Sequence, residues 1–219
     1  MQLIAELRAE HELIEQVLGS LRTYVLRKTS GDEGSSGDGD AFVRFFRVFS
    51  GSFHHGREEE VLLPALIADA ELPPGSGPAV ALVDQHHTME RMLEEMDPLL
   101  RGGLKGAGSR ERLLELATDY SRMLWRHIDA ENSVLFTEGE QRLQRSGVAE
   151  LPCRPMTDVE AAARGEGERL VKAYPGTYDP GAIRGEGCVI CPSHGTLCEG
   201  VEREWWNDWE WETFSGRQG

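Results

Sequence analysis

Positive charge is scarce in this 219-residue chain: 23 lysines and arginines stand against 38 aspartates and glutamates, a formal net charge of −15. So acidic a chain has little electrostatic grip on nucleic acid or anionic lipid, and neither is expected as a partner. Long hydrophobic runs are absent too. No apolar stretch reaches membrane-spanning length, and the N-terminus lacks the charged-then-apolar layout of a signal peptide, so a cytoplasmic location is expected. Cysteine is sparse, with four in all, three of them crowded near the C-terminus. They do not form the even framework of a small secreted fold, and in a reducing compartment such a cluster binds metal or cycles its thiols.

What the chain does have is helical periodicity. From residue 2 to about 28 the apolar positions Ile4, Leu7, Ile14, Leu18, Leu21 and Val25 recur at helical spacing, with His11 on the same stripe. A loop rich in Gly, Ser and Asp (29–40) follows. The spacing predicts a second helix over about 41–68, with Phe45, Val48, His55, Glu59, Leu62 and Leu66 on one face and Pro64 kinking its last turns. After the stretch LPPGSGP (72–78) a third helix is expected over about 79–100, carrying the neighbours His86 and His87. A glycine-rich turn (102–108) leads to a fourth helix from about 109 to 143–147, whose buried face carries Leu113, Leu116, Tyr120, Leu124, His127 and Glu131. Four amphipathic helices with fairly short connections predict an all-α protein, an antiparallel up-down-up-down four-helix bundle over 1–147.

Two phrases carry chemistry. In HHGREEEVLLPAL (54–66) and again in RHIDAENSVLF (126–136), a histidine and a glutamate stand four residues apart, His55 with Glu59 and His127 with Glu131. On a helix that spacing stacks imidazole over carboxylate on one face. At 1.5 Å per residue, His11, Glu59, His87 and Glu131 fall roughly 12–20 Å from the same end of the bundle, with His55 and His127 one turn deeper. The halves echo each other: His11 precedes the first phrase and His87 the second, as in a repeated helical hairpin with pseudo-two-fold symmetry.

A single histidine on such a face is more often an ordinary half-buried side chain. A buried carboxylate without a partner costs several kcal/mol, roughly, unless it is paired or ligates metal. Lysine and arginine are absent from the predicted inner faces, since Arg91 and Arg126 fall on flanking ones. Nitrogen and oxygen donors without thiolate suit iron or manganese, and carboxylates able to bridge suit a metal pair inside a four-helix bundle.

These motifs, with EH at 10–11 and QHHTMER at 85–91, resemble the hemerythrin-like (HHE cation-binding) domains over about the first 145 residues. The resemblance implies a non-haem di-iron site, oxo- or hydroxo-bridged, with His11, His55, Glu59, His87, His127 and Glu131 as ligands and Glu59 and Glu131 as bridges. Oxygen-carrying relatives have a second histidine one turn from the third-helix ligand. Here Val83 and Arg91 occupy those places, leaving four histidines and an additional open position, with His54 or His86 as an alternative supplier. Sensing or redox turnover is favoured over reversible oxygen carriage, and Tyr120 is a candidate hydrogen-bond donor to the site.

Residues 148–219 read as an appended, mostly irregular extension rather than a fifth bundle helix. Within it Cys188, Cys191, His194 and Cys198 form C-x2-C-x2-H-x3-C, a candidate zinc site, with an iron–sulfur cluster or a thiol switch as alternatives. Trp205, Trp206, Trp209 and Trp211 are expected to dock the tail on the bundle, or else to recruit a protein partner. Three functions follow as expectations. The first is a di-iron protein binding or sensing dioxygen, nitric oxide or peroxide. The second is a di-iron peroxidase or oxidase drawing electrons through the cysteines. The third is a metal-stabilised interaction module.

Overall fold

The computed structural model describes residues 1–32 and 37–176. The cysteine and histidine cluster at 188–198 and the tryptophans at 205–211 lie outside the described residues. Helices account for most of the described chain, and the expected helical bundle is present. We label its rods α1 (Gln2–Thr29), α2 (38–69), α3 (Pro78–Arg101), α4 (106–145) and α5 (Asp158–Ala173).

Each rod starts and stops for local reasons. Helix α1 ends on Arg27 and Lys28, cations placed where the helix dipole is negative. Pro78 opens α3 at a position whose amide has no helical partner anyway, after Gly77 at φ 62°. Helix α5 opens on a capping box: the Glu160 backbone N–H donates to Thr157 Oγ1, and the Thr157 N–H donates to the Glu160 carboxylate. Arg154 grips the same carboxylate at 2.7 and 2.8 Å and holds it down to about pKa 2.

Helix α5 is the main addition to the expected architecture. It lies on α1 and the first half of α2, and Ala163, Leu170 and Tyr174 join the bundle's own core. Gly167 lets it approach, because a Cβ there would stand 2.4 Å from the Phe45 ring. Sequence periodicity missed this helix because Gly165 and Gly167 dilute its apolar stripe.

Two rods are not plain α-helices. Helix α2 widens into π-helical turns over Phe45–His55 and again over Glu58–Leu62, and α4 does so over Glu131–Leu135. The Gly56 N–H reaches back to the Gly51 carbonyl, Leu63 to Glu58 and Phe136 to Glu131, five residues each rather than four. Pro64 follows the second wide turn directly and the rod continues through it to Asp69.

The core is divided. One apolar cluster holds Leu3, Ile4, Leu7, Leu62, Leu66, Leu82, Leu135 and Phe136, from the start of α1, the end of α2, the start of α3 and the end of α4. That alternation of starts and ends is the antiparallel topology. The larger cluster runs from Ile14, Phe53, Met89 and Leu124 to the other end. Between them each of α1 to α4 interrupts its apolar stripe with buried polar residues: His11, His54, His55, Glu58, His86, His127 and Glu131.

The far end of the bundle depends on close backbone approach. A Cβ on Gly39 would lie 2.1 Å from the Leu100 carbonyl oxygen, which only movement of α2 away from α3 relieves. Gly39→Ala is expected to lower stability by about 1–3 kcal/mol through overpacking. Urea unfolding of the two proteins checks this, and an unchanged midpoint contradicts the close approach.

Candidate metal centre

The buried polar layer contains two groups of donor atoms, each group lying within 4.8 Å of one another. One comprises His55, Glu58, His86 and His127, and the other His11, His54, Glu58 and Glu131. Glu58 belongs to both. Its Oε1 is 3.4 Å from His54 Nε2 and its Oε2 is 3.5 Å from His86 Nε2, so one carboxylate spans the groups. Glu131 spans them as well, with Oε2 3.2 Å from His11 Nε2 and Oε1 3.2 Å from His127 Nε2. Both carboxylates are fully buried.

The imidazoles are held from outside. His11 Nδ1 pairs with Asn132 Oδ1 at 3.0 Å, His54 Nδ1 with Glu10 Oε2 at 2.9 Å, His86 Nδ1 with Glu59 Oε1 at 2.6 Å, and His127 Nδ1 with Gln85 Oε1 at 2.8 Å. An oxygen acceptor at Nδ1 fixes the proton there and turns the Nε2 lone pair toward the centre, the arrangement by which outer partners orient metal-bound histidines. His86 Nε2 and His127 Nε2 consequently face each other at 3.0 Å as two lone pairs.

The inside of the layer is left without partners. His11 Nε2, His54 Nε2, His55 Nε2 and all four oxygens of Glu58 and Glu131 are buried and accept no hydrogen bond. Orphaned buried acceptors are rare because each costs about 1–3 kcal/mol, more when charged. Burial and neighbouring imidazoles push His54, His55 and His86 well below the usual histidine range, so they stand neutral with lone pairs free. Burial and the negative charge of Glu131 push the Glu58 carboxyl well up. Burial acts in the same sense on Glu131, but His127 and His11 outweigh it and hold that carboxyl well below its usual value. Five imidazoles and two carboxylates converging on a buried space are a donor set that cations satisfy. The residues fit a metal pair.

Of the six bundle residues singled out by spacing, the structure brings His11, His55, His127 and Glu131 into this layer. Glu59 and His87 do not join it. Glu59 is half-buried, with a third of its side chain exposed, and accepts from His86 Nδ1 rather than facing inward. His87 is exposed on the outer side of α3. Their neighbours Glu58 and His86 take the inner places, and His54 enters beside His55. For His86 the signal was in the sequence, since Leu82, His86, Met89, Leu93, Met96 and Leu100 form an unbroken buried stripe. For His54 and Glu58 it was not. At 3.6 residues per turn His54 points about 180° away from Phe45, and only the wide turns between them bring both to one face.

Two further readings change. The fifth histidine absent from α3 is supplied from α2, where His54 and His55 both point inward. An arginine does stand beside the layer: Arg57 is 2 % exposed. It pairs with Glu6 and Glu10, however, and leaves Glu58 and Glu131 without a cation.

Fold and site together define a His/carboxylate metal-binding protein built on a four-helix bundle. The chain matches the hemerythrin HHE cation binding domain over residues 2–138 and belongs to that family. No curated protein and no solved structure matches it. Among the described residues no helix is long and apolar enough to cross a membrane.

The geometry separates neighbours that the sequence leaves interchangeable. Glu58→Ala is expected to abolish binding of a metal pair, whereas Glu59→Ala leaves two metals bound with roughly 10–100-fold weaker affinity through the loosened His86. Metal analysis with chelator competition on both variants checks this. Loss of the pair in Glu59→Ala but not in Glu58→Ala contradicts the placement.

Proposed function

We propose that the chain is a non-haem di-iron protein that binds or senses a small oxidant, dioxygen, nitric oxide or peroxide. The observation that carries this reading is the double span of Glu58 and Glu131 between one group of three imidazoles and another of two. His55, His86 and His127 would hold one iron and His11 and His54 the other, with both carboxylates bridging. Nitrogen and oxygen donors without thiolate favour iron over a structural zinc site. A bound iron pair supplies one- and two-electron chemistry toward such oxidants.

On that assignment the three-imidazole position has five protein donors and the two-imidazole position four. An octahedral ion then keeps at least one place for an incoming ligand at either position. Access supports the same reading. A cleft of about 200 Å³ between α2 and α3 reaches His55 and His86, with Ser52, Glu59, His87 and Glu90 toward its mouth and Tyr120 among its walls. It is wide enough to admit a small ligand and approaches the layer from the three-imidazole side. Tyr120 is buried, and burial raises its phenol so that the proton stays on at neutral pH. It therefore enters the cleft wall as a neutral phenol.

Full-length protein loaded anaerobically with ferrous iron and then exposed to air is expected to hold two irons per chain and to absorb in the near ultraviolet. Metal analysis and absorption spectroscopy check this. Protein that stays iron-free and colourless after reconstitution contradicts the proposal.

Ser52 is exposed at the cleft. Ser52→Trp is expected to slow nitric oxide or azide binding to iron-loaded protein at least several-fold while leaving the iron content at two. Stopped-flow absorption reads the rate, and an unchanged rate contradicts entry through this cleft.

A further inference from the structure

Arg57 follows the inward-facing pair His54 and His55 on α2 and precedes Glu58, yet its side chain turns away from the layer and stays buried. Its guanidinium covers the Phe53 ring, 4.1 Å from the centroid, and holds Glu6 Oε2 at 3.0 Å and Glu10 Oε1 by a short contact. The other oxygen of Glu10 is the one that accepts from His54 Nδ1 at 2.9 Å. A guanidinium on one oxygen and an imidazole on the other leave that carboxylate little freedom.

The same cluster reaches beyond the family domain, which ends at residue 138. Cys153 Sγ lies 2.8 Å from Glu6 Oε2 and 3.6 Å from Arg57 Nη1. Arg154 stacks on Phe53, 5.0 Å from its centroid, and is tied through Glu160 to the start of α5. The segment joining α4 to α5 therefore closes over Arg57 and forms one wall of a cleft of about 520 Å³ whose floor includes Phe49 and Phe53.

We propose that Arg57 is a positioning residue for the metal centre: through Glu10 it fixes the orientation of His54, and Cys153 from the following segment helps to hold it there. The inference rests on the di-metal reading of the buried layer. A carboxylate on the far nitrogen of a bound imidazole makes that imidazole a better donor, and a cation on the carboxylate moderates how much charge it passes on. Glu59 does the same for His86, and among the described residues no arginine pairs with it. The two halves of the site thus differ in their outer partners, and the two metals are held by differently tuned histidines. The linker and α5 become part of the site.

The test uses the full chain in six forms: unaltered, Arg57→Gln, Arg57→Lys, Glu10→Gln, Cys153→Ala and the Arg57→Gln, Glu10→Gln double variant. Iron affinity is read by chelator competition, the centre by its near-ultraviolet absorption and midpoint potential, and the fold by melting of the iron-free protein. Arg57→Gln and Glu10→Gln are each expected to weaken iron binding by roughly 10–100-fold and to shift the absorption, the range seen for loss of an outer partner. Their combination should lose little more than either alone, because both act through one chain of contacts. Arg57→Lys should restore part of the loss, and Cys153→Ala should give a smaller loss of the same sign.

A lower melting temperature in Arg57→Gln with iron affinity, absorption and potential unchanged would mean a purely structural role and overturn the proposal. So would strictly additive losses in the double variant, or iron affinity in Cys153→Ala equal to that of the unaltered chain. Should Arg57→Gln fail to fold, unchanged affinity in Glu10→Gln overturns it by itself. An unaltered chain that binds no iron pair defeats the di-iron reading instead, which separates the two failures.

Discussion

Seven imidazole and carboxylate side chains aimed at one another across a dry layer are the constraint on which this molecule depends. Outer partners hold the imidazoles of His11, His54, His86 and His127 by their far nitrogens, and what remains inside is lone pairs and carboxylate oxygens. Such a layer is unstable by itself: burial and the charge of Glu131 raise the cost of ionising Glu58, and the oxygens of both carboxylates lack hydrogen-bond donors. Cations would convert the same arrangement from a penalty into an attraction that spans α1 to α4. The apolar clusters above and below offer the layer no competing partner.

The backbone is adapted to this requirement. A helix that meets the layer once per turn delivers one inward residue at that depth, whereas α2 delivers His54, His55 and Glu58. The wide turns before and after these residues make that possible, and α4 repeats the device with a wide turn that starts at Glu131. In both rods the carbonyl of the glutamate that spans the two donor groups accepts from the residue five positions on, so the echo between the halves extends from side chains to backbone. Wide turns of this kind weaken hydrogen-bond geometry and recur at functional sites.

Much of this was legible in the amino-acid sequence, and the parts that were not share a cause. The four bundle rods, their order and the depth of the polar layer follow from a 3.6-residue period, which α1 and α3 obey. His11 on α1 and His127 with Glu131 on α4 were read correctly as inward-facing for that reason. On α2 the period itself changes between Phe45 and Leu62, so counting by α-helical turns selects Glu59 over Glu58 and leaves His54 outside. On α3 the choice of His87 over His86 was not forced, because the stripe from Leu82 to Leu100 points to His86. Helix α5 escaped because two glycines dilute its apolar stripe, although one of them, Gly167, serves close packing against Phe45 rather than breaking the helix. Arg57 escaped because an arginine at the head of a run of glutamates reads as solvated surface, and its burial depends on Glu6, Glu10 and Cys153, which come from distant parts of the chain.

The central claim is that Glu58 and Glu131 hold two metals close together. X-ray absorption at the iron edge of the loaded, full-length protein tests it most directly. The account predicts a light-atom shell rich in imidazole and a metal–metal vector at about 3–4 Å, the separation of carboxylate-bridged pairs. Iron bound by nitrogen and oxygen with no metal–metal vector would mean a single ion in the layer, and would contradict it.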